Sequence, residues 1–168
     1  MKFTKVRNVK SINRGTSKSA GIDFYVPKFE ESFINDLVEK NRDKIDNKMI
    51  IVNKSMIFLA PHTSILIPSG IKVNIPEGYA LFANNKSGVG SKKGLDRLAE
   101  LIDEDYMGEV YINVTNTSSF PVQIFEDEKI IQFTLQSINY ATPQEVSEQE
   151  LYTDKISERG EGGFGSTN

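Results

Sequence analysis

The chain has 168 residues, enough for one domain with a real hydrophobic core. A net charge of −3 lacks the basic excess that a general nucleic-acid binder needs, so no nucleic-acid partner is expected. With no cysteine and a single histidine, His62, disulfides and thiolate metal sites are excluded, and a histidine-based triad is poorly supported.

Residues 3–9 alternate loosely and read as a first strand, followed by a polar, basic loop around Gly15. No apolar signal region precedes them and no apolar run is long enough to span a bilayer, so no membrane partner is expected. The expected location is the cytoplasm, the organism's own or that of a host cell. Residues 20–27 form a strand that opens on Ala20 and Gly21 and carries Asp23 among apolar neighbours. A charge in that setting is costly unless it is paired. Asp23 is therefore either a hydrogen-bonded turn residue or a carboxylate linked to a metal.

Phe29, Phe33, Leu37 and Ile34, Val38 recur at three- and four-residue spacings, which predicts an amphipathic helix. It reads as an insertion, about residues 28–48, packed on the outside of a β domain. Short strands follow at 49–52, 55–59, 64–67, 71–75 and 79–83. Turn residues separate them, including Pro61-His62, Pro68-Ser69-Gly70 and Pro76-Glu77-Gly78. Many short strands at close spacing argue for an antiparallel sandwich or barrel, and a jelly roll is one solution.

Residues 84–94 hold three glycines, two serines and three lysines. They read either as a nest of backbone N–H groups that binds an anion or as an ordinary polar loop. A short helical turn is expected between Gly94 and Leu101. Residues 101–114 pass from Leu101-Ile102 through an acidic turn, Asp103 to Asp105, to Gly108 and an alternating strand. This is a hairpin or sharp corner with a carboxylate on its lip and Tyr106 three residues on. A carboxylate beside apolar residues can serve as a general base, though a solvated acidic turn has the same appearance. Strands at 121–125 and 130–135 follow, the second with Gln132 inside it, bonded either to backbone or to a ligand. An acidic, extended stretch at 144–152 leads to a glycine-rich tail with Arg159 and Phe164. Such a tail is either disordered or an arm whose ring stacks on a flat group while its guanidinium grips a phosphate.

Five stretches, in order, resemble the five motifs of the homotrimeric dUTPase family. They are Ala20-Gly21-Ile22-Asp23, Lys86-Ser87-Gly88-Val89 with Lys92, residues 102–109, Glu128-Lys129-Ile130-Ile131-Gln132, and residues 159–167. The resemblance covers nearly the whole chain except the region around residues 29–55. It implies an all-β, dUTPase-like jelly roll with a short helical insertion, assembled as a homotrimer. It divides the chain into a domain, 1–150, and a flexible arm, 151–168, that closes over a neighbouring active site. The implied reaction is Mg²⁺-dependent hydrolysis of dUTP to dUMP and pyrophosphate, which limits uracil in DNA and supplies dUMP for dTMP synthesis.

By matching position, the resemblance implies that Asp103 activates the water that attacks the α-phosphorus. Backbone groups of the corner, Leu101, Ile102 and Tyr111 included, hold uracil, and Tyr106 packs on the deoxyribose. Lys86, Ser87, Gly88 and Gln132 contact phosphates, and Asp23 holds Mg²⁺ through its water shell. Arg159 reaches the γ-phosphate and Phe164 stacks on uracil, flanked by Gly163, Gly165 and Ser166. Departures from the family pattern are Lys86 and Lys129 where Arg is usual, Asp127-Glu128 where Gly-Asp is common, and Leu101 where Gly often stands. Asp96 and Arg97 fall where an Asn often contacts the sugar. Two other readings stay open. One is a dCTP-deaminase-like enzyme on the same fold; the other is a regulatory protein that binds a protein partner through the insertion.

Overall fold

The computed structural model describes residues 1–153 and 156–162. Among these, short antiparallel strands dominate. In chain order they begin with β1 (Lys2–Lys5), β2 (Asn13–Arg14) and β3 (Ile22–Phe24), then helices α1 (Glu31–Lys40) and α2 (Arg42–Asp46). Next come β4 (Ile50–Val52), β5 (Ile57–Leu59), β6 (Ser64–Pro68), β7 (Ile71–Asn74) and β8 (Tyr79–Asn85). Helix α3 (Ser87–Lys93) leads to β9 (Leu95–Arg97), β10 (Leu101–Ile102), β11 (Tyr111–Asn116), β12 (Val122–Ile124), β13 (Ile131–Ser137) and α4 (Glu148–Leu151).

The strands form four small sheets. Their orders are β1-β7, β10-β8-β13-β3-β2, β6-β11-β9 and β12-β5-β4. The period-2 pattern places the core. On β13, Ile131 and Phe133 are buried while Gln132 and Thr134 are half-buried on the other face. Phe133 meets Phe24 of the neighbouring β3 with ring centroids 4.5 Å apart. Ile57, Leu59, Ile65, Ile67, Ile71 and Ile112 fill the layer between the sheets.

The expected insertion is two helices. Helix α1 buries Phe33 and Leu37, and Phe29 stacks on Phe33 at 5.4 Å. Asn41, at the joint with α2, fixes where the insertion sits. Its Nδ2 donates to the carbonyl of Leu66 at 2.8 Å, and its Oδ1 accepts the Leu66 N–H at 2.9 Å. An amide side chain thus pairs with β6 as a neighbouring strand would, and closes a sheet edge.

Several expectations are corrected or narrowed to one of two readings. Residues 84–94 are not a loop: after the end of β8 they wind into α3, which Gly94 ends with φ +65. The stretch from Gly94 to Leu101 holds strand β9, not a helical turn. The 101–111 segment is a corner and not a hairpin, because β10 pairs with β8 whereas β11 pairs with β6 and β9. The 144–152 stretch contains a single helical turn, α4, started by a capping box between Ser147 and Glu150. His62 is exposed in a turn, as expected.

Candidate functional site

Register builds the first half of the site. Asn13 lies opposite Asp23, Asp23 opposite Gln132, and Gln132 opposite Asn84. Directly opposed residues share a face, so these four polar side chains form one row across four strands, behind the Phe24–Phe133 core. Asp23 is only 3% exposed. Two ammoniums neutralise it: Lys86 pairs with Oδ1, and Lys129 donates to Oδ2 at 3.0 Å. Burial pushes this carboxyl up, but the hydrogen bonds and charges of Lys86 and Lys129 outweigh it and leave it below its ordinary value. Lys129 is raised in return, chiefly by its hydrogen bond to Asp23.

Gly21 is part of the same construction. A Cβ there would run into the Gln132 side chain. Gln132 donates from Nε2 to the carbonyl of Asn85 at 2.9 Å, so in this state its amide is bonded to backbone. Beside it opens a cavity of about 380 Å³ lined by Lys86, Ser87, Gly88, Lys92, Lys129 and Gln132, among others. Ser87 and Gly88 open helix α3, where N–H groups have no intrahelical acceptor. Three lysines outnumber the carboxylates of Asp23 and Glu128 here, and with the start of α3 they leave this end of the sheet receptive to anions.

The second half lies elsewhere on the same chain. Asp103 is exposed, just past β10. Its carbonyl accepts the Tyr106 N–H at 3.2 Å, which closes the turn. The Tyr106 hydroxyl donates to the carbonyl of Glu109 at 2.9 Å, and its ring lies where a Cβ on Gly108 would be. Glu104 accepts the N–H of Gly78. Leu101 is exposed and Ile102 half-buried, both paired to β8. Tyr111 starts β11 with its phenol raised above the ordinary value by burial first, then by the carboxylates of Glu109 and Asp36.

The two halves do not meet within one chain. Ile102 is level with Leu81 and Gln132 with Asn84, so Asp103 and Asp23 sit toward opposite ends of β8 and on opposite sides of it. About four residues along the strand and three strand spacings across put them on the order of 20 Å apart. Arg159 is not among the residues that line the lysine cavity and lies in a local turn, with its Nε donating to the carbonyl of Gly162 at 2.6 Å. Gly163, Phe164, Gly165 and Ser166 lie outside the described residues.

The dUTPase family model matches residues 50–168, more than half of the chain. The chain belongs to the dUTPase family. The match starts just after the helical insertion. A deoxyuridine 5'-triphosphate nucleotidohydrolase of Fusobacterium nucleatum is 39% identical over 116 residues, covering 68% of this chain and 76% of that one. A protein of the same description from Paraburkholderia phymatum is 36% identical over 112 residues, covering 65% and 72%. The solved dUTPase of Staphylococcus bacteriophage 80alpha with dUPNHPP superposes with a TM-score of 0.74 over 99% of this chain and 97% of that one. At 22% identity, that likeness speaks to the fold, a dUTPase jelly roll.

Against this family, several departures acquire structural reasons. Asp96 accepts a hydrogen bond from Asn85, while Arg97 donates from Nε to the carbonyl of Ala83 at 2.8 Å and pairs with Glu100. Both tie β9 to the end of β8. Asp127 has φ +61, the left-handed region that explains why glycine is common there. Lys129 and Lys92 were absent from the predicted contacts yet line the same cavity as Lys86. Both stand inside stretches that resemble family motifs, Lys92 in the second and Lys129 in the fourth. Among the described residues no cluster of three or more His, Asp or Glu could hold a metal unaided. One buried carboxylate fits Mg²⁺ that arrives with phosphate oxygens and water, the usual way this ion is held.

Proposed function

We propose that this protein hydrolyses dUTP to dUMP and pyrophosphate in a homotrimer whose sites are shared between copies. The carrying observation is the anion-receptive cavity at Lys86, Ser87, Gly88, Lys92 and Lys129, gathered around buried Asp23. A triphosphate there meets three ammoniums and the opening of α3, which offset its negative charge. Asp23 would hold Mg²⁺ through its water shell, where the ion would add further charge neutralisation. Lys86 and Lys129 then turn from Asp23 to the phosphates.

Asp103 of a neighbouring copy, in this reading, takes the proton of the water whose oxygen bonds to the α-phosphorus. The bond to the bridging oxygen breaks and pyrophosphate leaves. Leu101, Ile102 and Tyr111 frame the uracil, and Tyr106 packs against the deoxyribose and leaves no room for a 2′-hydroxyl. Gln132 exchanges its backbone partner for a phosphate oxygen. The arm, residues 151–168, carries Arg159 to the γ-phosphate and Phe164 to the base, with Gly163, Gly165 and Ser166 around it. Closure of such an arm excludes water and completes the site only when substrate is bound. The names of the relatives, nucleotidohydrolases of deoxyuridine triphosphate, support this reaction.

The test is pyrophosphate release from dUTP, dCTP, dTTP and UTP with Mg²⁺. We expect selective turnover of dUTP, and a loss of about 10²-fold or more in Asp103→Asn, the usual range for a removed general base. Equal turnover of UTP, or an Asp103→Asn variant as fast as wild type, would overturn the assignment.

A further inference from the structure

Arg7 joins the insertion to the Asp103 corner. Arg7 follows β1, and its side chain is only 14% exposed. It grips Glu109 with both prongs of its guanidinium, Nε to Oε1 at 2.8 Å and Nη2 to Oε2 at 2.9 Å. The same Nη2 pairs with Asp36 of α1. Glu109 Oε1 also accepts the N–H of Gly70 at 2.6 Å. Gly70 has φ +73 and lies beneath Arg7 and Val9, whose atoms stand 3.0 and 2.9 Å from where its Cβ would be. The three charged side chains thus close over a backbone that no side chain can enter.

Glu109 ends the corner. Its carbonyl receives the Tyr106 hydroxyl, the Tyr106 N–H bonds to the Asp103 carbonyl, and the next residue, Val110, donates to the carbonyl of Ile71 at 2.9 Å. Hydrogen bonds, joined through the covalent frames of Glu109 and Tyr106, therefore link Asp36 and Arg7 to the main-chain carbonyl of Asp103. Glu109's side chain is 11% exposed, so without Arg7 its charge would rest on one N–H and turn toward water, taking the corner with it. Two carboxylates on one planar guanidinium fix its plane as well as its position.

We propose that Arg7 is a positioning residue for the Asp103–Tyr106 corner, and that Asp36 of the insertion sets how firmly it holds. The catalytic part of this rests on the reading of Asp103 above. The insertion is thereby a structural part of the corner and not an appendage to the domain.

The experiment uses the full chain. Amide hydrogen exchange over residues 101–111 is followed without nucleotide, and kcat and KM for dUTP are measured in parallel. Asp36→Asn, at the exposed side of the group, keeps the Arg7–Glu109 fork; Glu39→Gln on the same helix is the control. We expect Asp36→Asn to speed exchange at the corner severalfold and to lower kcat by roughly 3- to 10-fold with KM little changed, because small misplacements of reacting groups are amplified in rate. Asp36→Glu should restore much of both, and Arg7→Gln should lose more. Exchange at 101–111 equal to wild type in Asp36→Asn would overturn the link whatever the turnover. Faster exchange with unaltered kcat would overturn the positioning role. If wild type turns over no dUTP, the functional reading fails and the exchange result alone decides the link.

Discussion

Asp23 is a carboxylate that the sheet buries and two lysines neutralise. Its folded value lies below the ordinary 3.8, so the unfolded chain binds its proton more readily. The stabilisation from this group is therefore fully present above about pH 3.8 and is lost as pH falls through the folded value. Urea midpoints between neutral pH and strong acid should fall less steeply with acid in Asp23→Asn than in wild type; an unchanged acid limb would contradict the pairing. Gly21 belongs to the same row. Gly21→Ala should cost about 1–3 kcal/mol, as overpacking does, because Gln132 must leave its bond to Asn85. Chemical denaturation checks this, and a neutral result would mean that Gln132 moves aside freely. The charge at Asp23 could be foreseen, since a carboxylate among Ile22, Phe24 and Tyr25 needs a cation. Which cations answer it could not, because Lys86 and Lys129 lie 63 and 106 residues away. Arg7 gave no local signal for the same reason, with partners 29 and 102 residues distant.

Among the elements, those with strong periodicity were legible. The 3-and-4 spacing of Phe33, Ile34, Leu37 and Val38 became α1, and the alternation of Ile112 and Val114 became β11. Helix α3 was hidden because Gly88 and Gly90 are poor helix formers, and tertiary placement after β8 overrides them. The corner was ambiguous because alternation cannot say which strand β10 will pair with; contacts with β8 decided it. The insertion's seat on β6 rests on Asn41, which no pattern marks as special. Asn41→Ala leaves both backbone groups of Leu66 without this partner and should destabilise by about 1–3 kcal/mol, the cost of an unsatisfied buried polar group. Thermal or urea unfolding measures it, and a change under a few tenths would show that water replaces the amide.

At the scale of the whole molecule, β8 carries the account. One end bears Asn84 and Asn85 beside the lysine cavity, and the other faces the acidic corner of Asp103, Glu104 and Asp105. In the proposed reading a single chain holds two halves of a site, one rich in lysine and one acidic, on the order of 20 Å apart. Rotational symmetry is the simplest way to bring one half of each copy to the other half of the next. The decisive measurement is complementation between two inactive variants. Asp103→Asn and Asp23→Asn are assayed for dUTP hydrolysis alone and after unfolding and refolding together. Random assembly places an intact Asp23 beside an intact Asp103 at one interface in four, so the mixture should recover roughly a quarter of wild-type turnover. Mixed oligomers, verified by tagging one variant, that recover no turnover would contradict a site shared between copies.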